Sequence, residues 1–248
     1  MNPKVWCQTD VGLRRENNQD FFLFDEAIGL YVVADGMGGH RGGEVASRMA
    51  AETMLEVVKT AMRDSGSRRI NPRVLLTQAY EEACRRVYDK SREPNSELEG
   101  MGTTLVAALV FDGVLYVGNV GDSRCYLFSQ QRLWQITEDH SLVNEQLRAG
   151  LIAEKDVARF VGKNVITRSV GFEREVQVDI IERQMQESEI YLICSDGLSG
   201  LVEDDRIAEI CRTQPPEKIV GLCINEAKKN GGDDNVTVMV LYAQPQSH

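Results

Sequence analysis

The sequence predicts an α+β protein arranged as a four-layer α-β-β-α sandwich, with two packed, mainly antiparallel sheets flanked by helices. Two observations support this fold class. Apolar runs of strand length follow one another with short turns between them, and helical periodicity is confined to two pairs of segments, one early and one late. A simple alternation of strand and helix, which builds parallel sheets, is therefore excluded.

The predicted strands are short apolar runs bounded by turn-forming residues. Asp112-Gly113 separates two of the strongest runs and predicts a tight hairpin, so the pairing is expected to be largely antiparallel. The runs cover approximately residues 6–11, 21–24, 30–34, 103–111, 115–120, 124–128, 176–181, 190–195 and 236–242.

The predicted helices are amphipathic and carry terminal signals. Residues 43–61 place Ala46, Ala50 and Met54 on one stripe, which predicts a helix with one buried face. Asn71-Pro72 opens a second helix, because asparagine caps a helix and proline suits its first turn. The later pair is predicted at about 204–213 and 217–229, the last ending at Gly231-Gly232.

Composition indicates one soluble domain spanning residues 1–248, because no linker or repeat interrupts a chain that is 42% hydrophobic. The net charge of −10 argues against nucleic-acid binding, which requires a basic surface. Six cysteines without a Cys-x-x-Cys pair are typical of a reducing compartment, and no apolar run is long enough to cross a membrane. We therefore expect a cytoplasmic protein that binds neither nucleic acid nor membrane.

Four aspartates lie where a predicted strand meets a turn, namely Asp35, Asp122, Asp196 and Asp234. Strand tips are held in place by the sheet behind them, so several of these carboxylates can converge at one end of the sandwich. Two carboxylates ~4 Å apart repel by on the order of 4 kcal/mol at a protein-like dielectric, so a cluster implies a cation or shared protons. Oxygen ligands favour Mg²⁺ or Mn²⁺ over Zn²⁺.

The segment before the second strand adds chemistry that suits phosphate. Arg15 offers a planar pair of donors for phosphate oxygens, and it precedes a further candidate ligand, Asp20, by five residues. Other phosphatase chemistries lack their motifs here. No cysteine is followed six residues later by arginine, no Asp-x-Asp nucleophile occurs, and three histidines are too few for a histidine-rich zinc site. Hydrolysis by a metal-activated water is the remaining chemistry.

Seven motifs in order resemble those of the metal-dependent PPM (type 2C) serine/threonine protein phosphatases, and they cover nearly the whole chain. The form Asp-Gly-Met-Gly-Gly and the single domain are similar to the bacterial branch of that family. The motifs are the segment 15–20, Asp35-Gly-Met-Gly-Gly, Gly102-Thr-Thr, Gly118-Asn-Val-Gly-Asp-Ser-Arg, Thr137-Glu-Asp-His-Ser, Ser195-Asp-Gly and Gly232-Asp-Asp-Asn-Val.

The resemblance implies a binuclear metal centre at one end of a β-sandwich flanked by helices. Asp35 would bridge two Mg²⁺ or Mn²⁺ ions, and Gly36 would give its carbonyl to one of them. Asp20, Asp196 and Asp234 would complete the other coordination sphere, partly through water.

Further roles follow from the same resemblance. Asp122, together with Asp196, matches positions that hold a third, weaker ion in bacterial members. Arg15 matches the phosphate-binding arginine, and residues 144–164 fall where such enzymes carry a flap beside the active site. The implied partners are proteins phosphorylated on serine or threonine and a cognate serine/threonine kinase, and the protein is expected to be a monomer.

Two positions depart from the family pattern. Met37 stands where eukaryotic members have a histidine proposed as general acid, with His40 three residues further on, and Gln19 replaces an acidic residue. Two other functions are compatible with the same fold: a catalytically inactive binding or scaffold module, and a phosphatase of small metabolites. The intact carboxylates and Arg15 argue against an inactive module, since mutually repelling carboxylates have no use in one.

Overall fold

The computed structural model describes residues 3–38, 41–64, 70–94, 97–160, 162 and 164–245, and two antiparallel sheets form its centre. In the first sheet the strand order is β1-β11-β10-β7-β8, and every pairing is antiparallel. Its strands are β1 (Lys4–Asp10), β7 (Arg124–Ser129), β8 (Arg132–Gln135), β10 (Ile190–Cys194) and β11 (Val236–Tyr242).

The second sheet has the order β2-β3-β5-β6-β9, again with antiparallel pairings, and a two-residue strand, β4, pairs with β3 beside it. Its strands are β2 (Asp20–Asp25), β3 (Leu30–Met37), β4 (Gly102–Thr103), β5 (Leu105–Phe111), β6 (Val114–Val120) and β9 (Asp179–Gln184).

The helices lie on the outer faces of the two sheets. Asn71 caps the second helix as predicted, because its side chain accepts a hydrogen bond of 3.3 Å from the backbone N–H of Val74. The helices are α1 (Gly42–Asp64), α2 (Pro72–Ser91), α3 (Leu142–Arg148), α4 (Asp196–Ser199), α5 (Asp204–Thr213) and α6 (Pro216–Lys229), with a 3₁₀ turn at Glu154–Arg159.

Three hydrophobic layers separate the four structural layers. Successive side chains of β3 point into two of these layers in turn. Leu30 and Val32 pack in the layer beneath α1 and α2, whereas Tyr31 and Val33 pack between the two sheets. A third layer lies between the first sheet and helices α5 and α6 and includes Ile207. The predicted four-layer sandwich is therefore confirmed.

Most predicted elements are present, and the differences occur where local sequence is ambiguous. The hairpin turn is confirmed, since Asp112 and Gly113 have φ angles of 51° and 79°. The predicted strand 176–181 is wrong by three residues at each end, because the strand runs from Asp179 to Gln184, the residues that pair with β6. The predicted strand 103–111 is divided into β4 and β5, with the break at Thr104.

The strand β8 and the short helices α3 and α4 were not predicted, because each has too few residues for a periodic pattern. Within the described residues, no helix has both the length and the apolar character needed to span a bilayer. All six cysteines are free thiols, and only Cys7 is not fully buried.

Candidate active site

The predicted carboxylates meet at one end of the sandwich, around an open cleft of about 630 Å³. They reach this end from different elements: β3 carries one, the β6–β7 turn another, α4 begins with a third, and a fourth precedes β11. The cleft is lined by the predicted residues Arg15, Asp35, Gly36, Asp122, Asp196 and Asp234. Asp20, at the start of β2, is buried and does not line the cleft.

Asp20 and Asp35 lie opposite each other on neighbouring strands, as direct partners in the β2–β3 register. Burial raises the pKa of Asp20 to about 6, although hydroxyl donors oppose the shift. Burial also raises the pKa of Asp35 well above its usual range, and the negative charges of Asp20, Asp196 and Asp122 raise it further. The ionised forms of these carboxylates are therefore destabilised unless positive charge lies beside them.

The pKa values of two further carboxylates, those of Asp122 and Asp196, are also raised. Burial raises the pKa of Asp122 to about 7, with repulsion from Asp196 as the next cause. Burial likewise raises the pKa of Asp196. Repulsion between these carboxylates thus reflects how close together they lie at this end of the sandwich.

The backbone around Asp35 is fixed by two threonines that sequence reasoning quoted only as part of a motif. Thr104 Oγ1 accepts a hydrogen bond of 3.1 Å from the Asp35 N–H, and the Thr104 N–H donates to the Asp35 carbonyl at 2.8 Å. Thr103 Oγ1 donates to the same carbonyl at 2.8 Å. Thr104 also shares a hydroxyl hydrogen bond of 2.7 Å with buried Ser123, which follows Asp122. The strand of Asp35 and the turn of Asp122 are therefore joined directly.

Arg15 lies at the rim of the cleft with its guanidinium on the carboxylate of Asp234, at 2.7 Å from Nη2 to Oδ2. The arginine side chain is 53% exposed, so the remaining donors are open to a ligand in the cleft. Asn235 holds the loop that carries Arg15: its Oδ1 accepts from the Gln19 N–H at 2.8 Å, and its Nδ2 donates to the carbonyls of Val11 and Asn17, each at 3.0 Å.

Gly36 and Gly43 lie against each other where β3 meets α1. A Cβ on Gly36 would overlap the Gly43 carbonyl in the first turn of α1, and a Cβ on Gly43 would overlap Gly36. These glycines are therefore required by contact between β3 and α1. The ligand role of the Gly36 carbonyl stays a prediction.

The two family departures, Met37 and Gln19, both line the cleft. Met37 lies beside Gly36, and its thioether cannot donate a proton. His40 lies outside the described residues. The backbone carbonyl of Gln19 accepts hydrogen bonds from the Gly36 N–H at 3.1 Å and from Ser47 Oγ at 2.7 Å.

The predicted flap, residues 144–164, contains most of α3 and the 3₁₀ turn at Glu154–Arg159. Asn164 at its end lines the cleft, as does Ile166 just beyond it. A backbone hydrogen bond of 2.8 Å from the Leu142 N–H to the Val165 carbonyl joins the residues on either side of this segment. The flap role itself stays a prediction.

The sequence analysis did not predict that an ion pair and a buried histidine hold the turn that carries Asp122. Arg124 binds Asp139 through two nitrogens, with a shortest distance of 2.7 Å, and both side chains are largely buried. His140 is buried, and its Nδ1 accepts from the Gly121 N–H at 3.1 Å while its Nε2 lies 3.0 Å from Asp179. The motif at residues 137–141 includes Asp139 and His140, but only the tertiary structure brings them to the Asp122 turn.

The donor set fits a hard, hydrated divalent cation. Asp20 Oδ1 is buried and has no hydrogen-bond partner in the part of the chain that the structure describes, which is the state expected of an oxygen that binds a cation. Among the described residues, no three His, Cys, Asp or Glu side chains lie close enough together to hold a metal ion by themselves. An open set of carboxylates is what Mg²⁺ requires, because this ion keeps several of its water ligands.

Comparison with known proteins identifies the family. The model of the family described as protein phosphatase 2C matches residues 13–214. The chain belongs to the protein phosphatase 2C family. This membership confirms the predicted enzyme class, a protein phosphatase.

Relatives and solved structures are similar over almost the whole chain. The serine/threonine phosphatase stp of Listeria monocytogenes is 37% identical over 238 residues, covering 94% of this chain and 93% of that protein. The crystal structure of the Mycobacterium tuberculosis serine/threonine phosphatase PstP/Ppp superposes with a TM-score of 0.88 at 31% identity, covering 98% of this chain and 99% of that one. A crystal structure of the PstP catalytic domain in complex with two manganese ions has a TM-score of 0.85 at 31% identity and covers 98% of each chain.

Proposed function

We propose that this protein hydrolyses phosphoserine and phosphothreonine esters in other proteins, with two divalent cations, Mg²⁺ or Mn²⁺, held at the carboxylate end of its cleft. The observation that carries the proposal is the meeting of Arg15 with mutually repelling carboxylates in one open cleft. The naming of similar proteins as serine/threonine phosphatases supports the substrate class. The two manganese ions of PstP support the cofactor.

The residues that would hold the cations are those already predicted. Asp35, which faces the other carboxylates, would bridge the two ions beside the Gly36 carbonyl, and Asp20, Asp196 and Asp234 would complete the site. Asp122, together with Asp196, would hold a third, weaker ion. When bound, such cations lower the pKa of a coordinated water and neutralise charge on a phosphoryl group.

Arg15 would bind the phosphoryl oxygens of the substrate. Its guanidinium has five N–H donors, and among the described residues only the contact with Asp234 occupies them. The planar fork matches two phosphate oxygens at once, and it would stabilise the charge that develops on them during hydrolysis. Asn235 keeps the arginine loop at the mouth of the cleft.

Protonation of the leaving serine or threonine oxygen would come from water in the cleft. Among the described residues that line the cleft, there is no histidine, lysine, cysteine or tyrosine, and Met37 cannot donate. Water would therefore take the role proposed for the eukaryotic general-acid side chain.

The shape of the cleft favours a segment of protein as substrate over a small metabolite. The cleft is partly open to solvent, and its exposed lining is more polar than apolar, unlike an enclosed pocket for a small molecule. A serine/threonine kinase that phosphorylates the same segments would be the partner in regulation. All the site residues come from one chain, so a monomer would suffice, and the six free thiols suit the reducing cytoplasm.

The test is turnover of p-nitrophenyl phosphate and of a phosphothreonine peptide. We expect activity with Mn²⁺, loss of activity with EDTA, and loss in Asp35→Ala. Asp205→Ala, which removes an exposed carboxylate in the first turn of α5, is the control and should behave as wild type. Activity that survives both EDTA and Asp35→Ala would contradict the proposal, and a wild-type protein that binds Mn²⁺ without turnover would favour the scaffold function.

A further inference from the structure

The buried carboxylate of Asp20 is held by two hydroxyl groups that belong to the opposite sheet. Ser195 Oγ and Thr237 Oγ1 each donate a hydrogen bond of 2.7 Å to the same oxygen, Asp20 Oδ2. Asp20 begins β2 in the second sheet, whereas Ser195 follows β10 and Thr237 lies in β11 of the first sheet. Both hydroxyl residues are completely buried. This contact therefore joins the two sheets at the end where the carboxylates meet.

The proton of each hydroxyl is committed to Asp20 by its other contacts. Ser195 Oγ accepts the Thr237 N–H at 2.9 Å, which leaves its own proton for the carboxylate. Thr237 Oγ1 lies 2.7 Å from both Asp20 Oδ2 and Thr9 Oγ1. An ionised carboxylate can only accept, so Thr237 donates to Asp20 and receives the proton of Thr9. Thr9 in turn accepts from Asn18 Nδ2 at 2.8 Å.

The two oxygens of Asp20 therefore differ completely in their surroundings. Oδ2 accepts two short hydrogen bonds, whereas Oδ1 is buried without any partner among the described residues. A buried acceptor left without a partner is destabilising, because it has lost its hydrogen bonds to water. The hydroxyl pair thus fixes the plane of the carboxylate and leaves Oδ1 without a protein donor among the described residues.

We propose that Ser195 and Thr237 are positioning residues that set the affinity of the site for its cations by holding Asp20 with Oδ1 free. The inference rests on the proposed function, since it assigns Oδ1 to the cation. Without either hydroxyl, the Asp20 carboxylate can rotate, and Oδ1 no longer has a fixed position. Ser195 directly precedes Asp196, so the same contact also sets the spacing between ligands of the two sheets.

The first experiment measures Mn²⁺ binding to metal-free protein by calorimetry, without substrate. Ser195→Ala and Thr237→Val should each weaken binding by about 10–100-fold, the range found for residues that orient metal ligands. The Mn²⁺ concentration for half-maximal activity should rise by a similar factor, while kcat at saturating Mn²⁺ stays near that of wild type. Thr237→Ser keeps the hydroxyl and should restore the affinity.

Two controls separate positioning from a general loss of stability. Thr53→Val removes a buried hydroxyl that donates at 2.7 Å to Met49 within α1, and it should leave Mn²⁺ affinity unchanged. Circular dichroism of each metal-free variant shows whether it is folded. In an Asp20→Asn background, Ser195→Ala should cause little further loss, because the two changes act through one carboxylate.

The inference is overturned if folded Ser195→Ala and Thr237→Val bind Mn²⁺ as wild type does, or if Ser195→Ala has its full effect on top of Asp20→Asn. The result is distinct from failure of the proposed function. A wild-type protein that binds Mn²⁺ but hydrolyses no phosphoester refutes that function and leaves the binding comparison valid. A wild-type protein that binds no Mn²⁺ refutes both.

Discussion

Replacing Asp122 with asparagine should stabilise the metal-free protein at neutral pH. The carboxyl of Asp122 is largely removed from water and lies beside Asp196, and these two causes raise its pKa from 3.8 to about 7. Asparagine has nearly the same shape and no charge, so the variant removes the repulsion while keeping the fold of the β6–β7 turn.

The magnitude follows from the pKa. A change from 3.8 to about 7 corresponds to about 4 kcal/mol when Asp122 is fully ionised. Asp122 keeps some contact with solvent, which screens its repulsion from Asp196, so we expect about 2 kcal/mol. For a domain of this size, that difference raises Tm by about 4–8 °C.

The raised pKa of Asp122 also determines how the stability of the protein changes with pH. Folded Asp122 binds its proton more tightly than the unfolded chain does, so its contribution is fully present below pH 3.8 and is lost as pH rises from 3.8 to about 7. Wild-type metal-free protein should therefore lose stability over this interval, and Asp122→Asn should lose less. A bound cation stabilises the ionised carboxylate, so saturating Mn²⁺ should narrow the difference at pH 7.5.

The assay is thermal unfolding followed by circular dichroism in EDTA, at pH 5 and at pH 7.5. Glu97→Gln is the control, because it neutralises an exposed carboxylate in the loop before β4 and should leave Tm almost unchanged. The reasoning is refuted if Asp122→Asn lowers Tm at pH 7.5, or if its gain over wild type is the same at both pH values.

Three further predictions concern the arginine, a glycine contact and a buried tyrosine. Arg15→Lys should lower kcat/KM for a phosphothreonine peptide about 10–100-fold, because lysine cannot bind two phosphate oxygens in one plane; an unchanged kcat/KM would exclude phosphate binding by Arg15. Gly36→Ala should unfold the protein or lower its Tm sharply, because the new Cβ would overlap a carbonyl in α1, whereas Gly221→Ala, with nothing within 4 Å, should be neutral or stabilising. Tyr80→Phe should reduce the free energy of unfolding by about 1–3 kcal/mol without changing Mn²⁺ affinity, because the buried Tyr80 hydroxyl donates to the Gly118 carbonyl at 2.8 Å. Denaturant titration measures the free energy of unfolding, and calorimetry measures the Mn²⁺ affinity. An unchanged free energy of unfolding would contradict this prediction.

Much of the fold could be predicted from local sequence. The strong apolar runs and the stripe through Ala46 and Ala50 have periods that only one kind of element satisfies, and those elements are confirmed. The strand β8 was missed because a four-residue, largely exposed edge strand has no alternation to detect. The start of β9 was misplaced because pairing with β6, a contact distant in sequence, determines where that strand begins.

The candidate site was predicted as a set of residues but not as a set of contacts. The position of Asp35 at a strand tip follows from the apolar run before it, and its partner Asp20 follows from the register of β2 and β3. The hydroxyl contacts of Ser195 and Thr237 with Asp20 have no signal in local sequence, because they join residues that are 175 and 217 positions apart.

The sequence by itself determined the layers of this protein, the acidic residues at its strand ends and the resemblance to a phosphatase family. These depend on side-chain periodicity and on short motifs, which are local properties of the chain. The tertiary structure decided which oxygen of Asp20 is held and which is free, how Thr104 joins Asp35 to the Asp122 turn, and why Gly36 must lack a side chain. Each of these is a contact between distant segments, and only packing of the two sheets and α1 brings those segments within hydrogen-bonding or van der Waals distance.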